Sequence, residues 1–317
     1  CASVCPTGHI NFEKIRANIS ESDIAPIPSE YEMGLAGRKA VYVPYAQAVP
    51  NTPVIDRTQC VHFKTGGCQI CAEFCGVNAI DHSQQDESIE VEVGSIILAP
   101  GADVYDPGLH DTYNYAQHPN VVTSMEFERI LSASGPYGGH LIRPSDHIEP
   151  KKIAWLQCIG SRDTNRCGNG YCSSVCCMYA IKDAMIAKEH SEKELDAAIF
   201  FMDMRTHGKE FDKYHIRAED DSGVRFVRSR IHSVFPEPGD KYRIVYSTEA
   251  GSTVEEIFDM VVLSIGLAPN KDAKILADKM GIELNRHGFA ETRNLSPVTT
   301  SKKGIYVCGT FQEPKDI

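Results

Sequence analysis

The sequence predicts an α/β protein built from dinucleotide-binding layers, and three observations lead to it. Residues 153–159, 173–189 and 197–202 read as strand, helix and strand, the unit whose crossover helix packs back onto a parallel sheet. The run Ser95-Ile96-Ile97-Leu98-Ala99 and residues 258–265 are short, apolar and bounded by turns, as strands buried on both faces are. Each closes on a glycine turn, at Pro100-Gly101 and Gly266, and a last strand, 304–308, closes on Gly309.

The elements follow in order. Residues 1–92 are irregular and turn-rich, with short strands such as 40–44, and an alternation of Ile89, Val91 and Val93 leads into the 95–99 strand. Residues 102–150 are rich in Gly, Pro and Tyr, carry one helical stretch near 124–132, and read as a connector. A second regular region opens at Lys152, with strands at 153–159, 197–202, 224–227 and 258–265 and a hairpin region at 242–246. A helix at 273–280 precedes the final strand.

At 317 residues the chain has room for two or three domains with cores of their own. Its 42% apolar and 24% charged residues are ordinary for a soluble globular protein, and no apolar run approaches a membrane span. The net charge of −11, with no Lys/Arg stripe against it, argues against a nucleic-acid surface. Twelve cysteines without a secretion signal point to a reduced, cytoplasmic, metal-binding protein, because disulfide scaffolds are usually small. The chain has no initiator Met, opens inside a cysteine motif and stops on Pro314-Lys315-Asp316-Ile317, so we read it as a piece of a longer polypeptide.

The cysteines fall into groups. Cys60, Cys68, Cys71 and Cys75 have the spacing x7, x2, x3, so that four thiolates from one compact loop can wrap a cubane cluster, with Gly66-Gly67 permitting close backbone approach. Zinc is the competing occupant of any four-thiolate site, although its usual signature is two CxxC hairpins and only one is present here. Cys1-Ala2-Ser3-Val4-Cys5-Pro6 matches the end of the bacterial ferredoxin run, whose earlier ligands would precede residue 1. In the third group Cys158 ends a strand, while Cys172, Cys176 and Cys177 are expected in the first turns of a helix. There Cys172 and Cys176 form an i,i+4 pair, and the helix N-terminus favours thiolates. A buried thiol core with a redox-active vicinal pair is the bland alternative. This strand–loop–helix is where a nicotinamide-binding domain carries its Gly-rich phosphate cradle, and the sequence has Cys158-Ile159-Gly160-Ser161-Arg162-Asp163 instead.

Several segments together resemble the A subunit of heterodisulfide reductase, an iron–sulfur flavoprotein family of methanogens, sulfate reducers and other anaerobes. They are Arg38-Lys39-Ala40-Val41-Tyr42, Ser132-Ala133-Ser134-Gly135-Pro136, Gln157-Cys158-Ile159-Gly160-Ser161-Arg162-Asp163, Pro314-Lys315-Asp316-Ile317 and, most specific, Tyr171-Cys172-Ser173-Ser174-Val175-Cys176-Cys177-Met178-Tyr179-Ala180. The resemblance implies a thioredoxin-reductase-like fold with an inserted ferredoxin-like α+β domain. Residues 1–92 would be the insertion, 93–150 the return strand of an FAD domain and a connector, 151–270 a Rossmann-like domain bearing an atypical cluster, and 271–317 the return to the FAD domain. FAD is implied where Ala99-Pro100-Gly101, Ile265-Gly266 and Gly309-Thr310 converge. The atypical 4Fe-4S cluster maps onto Cys158, Cys172, Cys176 and Cys177. Lys182 would lie near the flavin N5, where its charge favours the anionic reduced flavin.

Departures from the family pattern make the FAD site incomplete: the N-terminal Gly-rich pyrophosphate loop is absent, and Thr310 stands where related flavoproteins place Asp. Cys167, in a lengthened loop, is either an alternative to Cys158 or a spare, and Cys308 has no assignment. The function implied is an electron-transfer, electron-bifurcating subunit. Its partners would be the other subunits of a heterodisulfide-reductase-type complex, a hydrogenase or formate dehydrogenase module, and ferredoxin. Disulfide cleavage would belong to another subunit. Three readings stand beside it: a quinone-interacting relative without bifurcation, a dithiol–disulfide reductase using Cys176-Cys177, and a zinc-stabilised interaction module.

Overall fold

The computed structural model describes residues 27–316, and these fall into two compact units divided between Val91 and Glu92. Cys1 and Cys5 lie outside the described residues.

In the first unit the apolar runs are short, and so are the elements. β1 (Ile27–Pro28) pairs antiparallel with β2 (Gly37–Arg38), and β3 (Val41–Tyr42) with β4 (Val54–Ile55). Arg38 ties these pairs together: it bonds Glu30, reaches Asp56 at 2.8 Å and lies 4.1 Å over the Tyr42 ring. Two short helices follow, α1 (Val61–Thr65) and α2 (Ile70–Glu73). Gly66 closes α1 at φ +72°, a left-handed conformation that glycine adopts without steric cost. The expected alternation of Ile89, Val91 and Val93 forms no strand, and these side chains are 76%, 68% and 56% exposed. A period-2 pattern becomes a strand only beside a partner for its backbone groups, and no described strand pairs with this segment.

The second unit begins with β5 (Ile96–Leu98), β6 (Asp103–Val104) and β7 (Val121–Thr123), followed by α3 (Ser124–Leu131). β8 (Lys152–Ile159), α4 (Cys176–His190), β9 (Asp196–Phe201), α5 (Phe211–Asp220) and β10 (Arg225–Arg228) come next. β11 (Val234–Glu237), β12 (Lys241–Ser247) and β13 (Thr253–Phe258) form an antiparallel sheet. The chain then runs through β14 (Met260–Ile265), β15 (Leu267–Ala268), α6 (Ala273–Met280) and β16 (Ile305–Val307).

The core is a five-stranded parallel sheet in the order β10-β9-β8-β14-β7, a Rossmann-like α/β arrangement. Every residue of β14, and all of β8 after Lys152, is buried, because α3 and α4 cover one face and the antiparallel sheet covers the other. Leu156, Phe200, Tyr242, Ile244, Phe258 and Leu263 interlock between the two sheets. The 102–150 stretch is more than a connector: β7 joins the sheet with Val121 opposite Val261, and Thr123 caps α3. The Thr123 hydroxyl accepts the Glu126 amide at 3.2 Å while the Glu126 carboxylate accepts the Thr123 amide at 2.6 Å, a capping box. β16 pairs in parallel with β5 over a second, smaller core around Leu98, Val307 and Phe311. β15 pairs with β6 between these two parts.

The chain builds β8, β9 and β10 outward in one direction, then places β14 on the other side of β8. The strand order therefore reverses between β8 and β14. At such a switch point an open parallel sheet presents its ligand crevice, outside the carboxyl ends of the strands.

Candidate redox site at the switch point

The carboxyl end of β8 turns sharply, with φ +62° at Cys158, +75° at Gly160 and +56° at Arg162. A Cβ on Gly160 would stand 1.9 Å from the Tyr105 ring, and one on Gly266 would stand 2.5 Å from Ser173 Oγ. Both glycines thus admit the protein's own side chains. The space that a phosphate cradle keeps open is filled by Tyr105, Ser161 and Ser173.

Four thiols gather beside this turn. Cys158, Cys176 and Cys177 are buried and Cys172 is half-buried. Burial pushes the Cys158, Cys176 and Cys177 thiols up and the charges of neighbouring members of the group add to it, leaving Cys177 at about 11. Opposing this, the charge of the Arg162 guanidinium beside Cys158 and the Arg205 backbone amide beside Cys177 favour the ionised sulfurs. Buried thiols whose ionised forms disfavour one another give up their protons only with a positive charge among them, which a metal centre provides.

The helix begins at Cys176, so Cys172 lies in the preceding loop and the expected i,i+4 helical pair does not form. Ser174, at φ +63°, breaks the backbone, and Ser173 turns inward to accept the Leu267 amide at 2.9 Å. The Cys172 sulfur accepts the Ser174 amide at 3.4 Å. Cys167 stands apart from the four: its thiol donates to Tyr105 Oη at 3.4 Å, and that hydroxyl also bonds His110 Nδ1 at 2.9 Å. Cys308 is exposed.

On the other side of the α4 N-terminus lies a cavity of about 800 Å³. Ser174, Val175, Met178, Tyr179 and Lys182 line it from α4 and the loop before it, Phe211 and Tyr214 from α5, and Leu267 and Thr310 from beyond β14 and β16. Lys182 Nζ bonds Glu128 Oε1 at 2.7 Å; burial pulls its pKa down, but the Glu128 bond and charge outweigh this and the net shift is upward. Because β5 and β16 are parallel neighbours, Ala99-Pro100-Gly101 and Gly309-Thr310 emerge side by side, and a Cβ on Gly101 would stand 3.9 Å from Thr310 Oγ1. Ile265 and Gly266 do not line the cavity; the next residue, Leu267, does. Tyr179 donates to the Ile265 carbonyl at 2.6 Å. Sequence reasoning missed Tyr179, Phe211, Tyr214 and Glu128. The i,i+3 spacing of Phe211 and Tyr214 was a signal for a shared helix face, though not for what that face meets.

In the first unit, Cys60, Cys68 and Cys71 border an apolar hollow of about 490 Å³ together with Val41, Ile70 and Phe74. Cys75 does not line it, but its sulfur accepts the Ala79 amide at 3.2 Å, and backbone amides of Ala79 and Val77 hold its thiol below the ordinary range. His82 Nε2 lies 3.6 Å from the Cys71 sulfur. Among the described residues no three His, Cys, Asp or Glu side chains are placed to chelate one metal ion. A bare hollow rimmed by sulfur, with amides aimed at a thiolate, fits a cluster's donor chemistry.

The fold and this crevice define a class, and residues 44–315 match the pyridine nucleotide-disulphide oxidoreductase family. The chain belongs to that family, whose members are oxidoreductases and whose fold implies a flavin. The 800 Å³ cavity, lined by Lys182, Thr310 and the aromatic rings of Tyr179, Phe211 and Tyr214, fits such a group, although Ala99, Pro100, Gly101 and Gly309 are not in its lining.

The chain is also similar along its length to named relatives. It is 40% identical to the iron-sulfur A subunit of CoB–CoM heterodisulfide reductase from Methanocaldococcus jannaschii, over 100% of this chain and 45% of the relative. It is 39% identical to the A subunit of H2:CoB–CoM heterodisulfide,ferredoxin reductase from Methanothermobacter marburgensis, over 93% of this chain and 44% of that one. With the A subunit of H2/formate:CoB–CoM heterodisulfide,ferredoxin reductase from Methanococcus maripaludis the identity is 41%, over 92% and 44%. The similarity to the A subunit of heterodisulfide reductase expected from the motifs is thus found across the chain, which spans about half the length of these relatives. No helix among the described residues is long and apolar enough to cross a membrane.

Proposed function

We propose that this chain is the electron-relay core of an iron–sulfur flavoprotein subunit in a heterodisulfide-reductase-type complex. One observation carries the reading: the start of α4 borders the four-thiol group with Cys176 and Cys177 and the large cavity with Val175, Met178 and Lys182. A flavin in that cavity would interconvert two-electron and one-electron chemistry, and 4Fe-4S clusters on the thiols would pass single electrons. Lys182, kept protonated by Glu128, supplies the positive charge that favours an anionic reduced flavin. Cys158, Cys172, Cys176 and Cys177 hold the atypical cluster. Cys60, Cys68, Cys71 and Cys75 hold a second in a ferredoxin-like insertion, and Cys1 and Cys5 contribute to a third. The names of the relatives, which include H2, formate and ferredoxin, support ferredoxin and a hydrogenase or formate dehydrogenase module as the partners we propose, and we further propose bifurcation as the activity of the complex.

Metal and cofactor analysis after anaerobic purification of the full-length protein tests this. We expect a coloured protein with iron and acid-labile sulfide in equal amounts, bound flavin and no stoichiometric zinc. Colourless protein with stoichiometric zinc and no sulfide would end the reading.

A further inference from the structure

Apart from the thiols and the large cavity, the ligand-bearing edge of the parallel sheet carries a second opening, of about 260 Å³. It is lined by Asp163, Asn165 and Arg166 from the loop after β8, by Arg230 and His232 from the segment after β10, and by Tyr113. Both segments leave carboxyl ends of parallel strands, the edge at which such sheets bind ligands.

The polar groups here are unequally matched. Asp163 is the only carboxylate in the lining, and its oxygens are occupied. Oδ1 accepts the amides of Asn165 and Arg166, each at 3.0 Å, and Oδ2 accepts Arg230 at 2.8 Å. Arg166 is propped on two sides, donating to Thr112 Oγ1 at 3.0 Å and to His232 Nε2 at 2.6 Å. A guanidinium has no acceptor, so His232 carries its hydrogen on Nδ1, where Ser233 Oγ lies 2.8 Å away. Each guanidinium has five N–H donors, and these bonds use two on Arg166 and one on Arg230. Asp163 balances one of the two charges. What remains is a net positive charge and two planar forks of N–H groups facing one opening, a donor set suited to a tetrahedral oxyanion.

We propose that this opening binds a small phosphate-bearing anion, gripped by Arg166 and Arg230. The site does not depend on a metal centre at the thiols. Asp163, Arg166 and Arg230 also border a separate hollow of about 20 Å³ whose lining includes Cys158 and Cys167.

Isothermal titration of the anaerobically purified full-length protein, in chloride buffers of low and high ionic strength with the probes compared at the same one, tests the site. Inorganic phosphate, pyrophosphate and adenosine 5′-monophosphate are the probes. One saturable site is expected for at least one probe, weakened about tenfold or more in Arg230→Gln, the cost of a lost charge-assisted bond. Tighter binding of the monophosphate than of inorganic phosphate would identify an ester as the ligand; equal binding would identify the free anion. Should Arg230→Gln fail to fold, the wild type still decides, because its affinity must fall as salt rises. Absence of saturable binding for all three probes, unchanged affinity in Arg230→Gln, or salt-independent affinity would each overturn the proposal.

Discussion

Arg162 shows how one side chain sets the character of the thiol group. Its guanidinium charge favours the Cys158 thiolate while it pairs with Asp203, which Arg205 also contacts at 3.4 Å. A positive charge beside a cluster stabilises its reduced form, so Arg162→Gln should lower the potential of the cluster proposed for the Cys158 group. Asp203→Asn should raise it. The scale is about 60 mV for each tenfold change in relative stabilisation of a one-electron couple. A redox titration monitored by electron paramagnetic resonance reads both, and shifts of the same sign in the two variants would contradict the assignment. The cysteines of this group were legible in the sequence, because their spacing is itself the signal. Arg162, Glu128 and Tyr179 were not, because their partners Asp203, Lys182 and Ile265 lie 41, 54 and 86 residues away in the chain.

Elements were read best where they are long or fully buried. The strand ending at Ile159, the strand ending at Ile265 and the helix Ala273–Met280 all stand where apolar patterning put them. The start of α4 was misplaced because its apolar spacing continues upstream, whereas the positive φ of Ser174 is decided by Ser173 reaching Leu267. β7 escaped notice because three residues in a turn-rich stretch carry little pattern, although Thr123 and Glu126 spelled out the capping box beside it. That cap gives a prediction: Thr123→Ala should cost about 1 kcal/mol in chemical denaturation. A loss below a few tenths would mean that packing of Phe127 and Ile130 alone fixes the helix.

The outer end of the central sheet gives a second prediction at this scale. Glu256 on β13 accepts Tyr246 and pairs with Lys152 and Arg225, and these partners outweigh burial and hold its carboxyl at about 2, below its ordinary value of 4.5. A depressed carboxylate contributes stability that is present above its unfolded pKa and is lost as pH falls toward the folded one. Stability should therefore decline between about pH 4.5 and 2 by on the order of 2 kcal/mol from this group. In Glu256→Gln this part of the pH dependence should vanish, as measured by melting temperature against pH. An unaltered acid limb would place the effect elsewhere.

At the scale of the whole molecule, the sheet order carries the argument. A reversal between β8 and β14 creates the crevice, the β8 turn fills its phosphate cradle with Tyr105 and serines, and α4 sets thiols against a flavin-sized cavity. The α/β class was legible from strand–helix–strand patterning, whereas the antiparallel sheet that buries the other face was glimpsed only as a hairpin region around 242–246. Such layering depends on contacts between segments far apart in the chain. The claim at the centre is that the thiols form separate electron-carrying sites, one on Cys158, Cys172, Cys176 and Cys177 and one on Cys60, Cys68, Cys71 and Cys75. Electron paramagnetic resonance of dithionite-reduced, full-length Cys177→Ala protein tests it most directly. One cluster signal should disappear while the signal removed separately by Cys71→Ala persists at full intensity; loss of both signals, or of neither, would contradict the account.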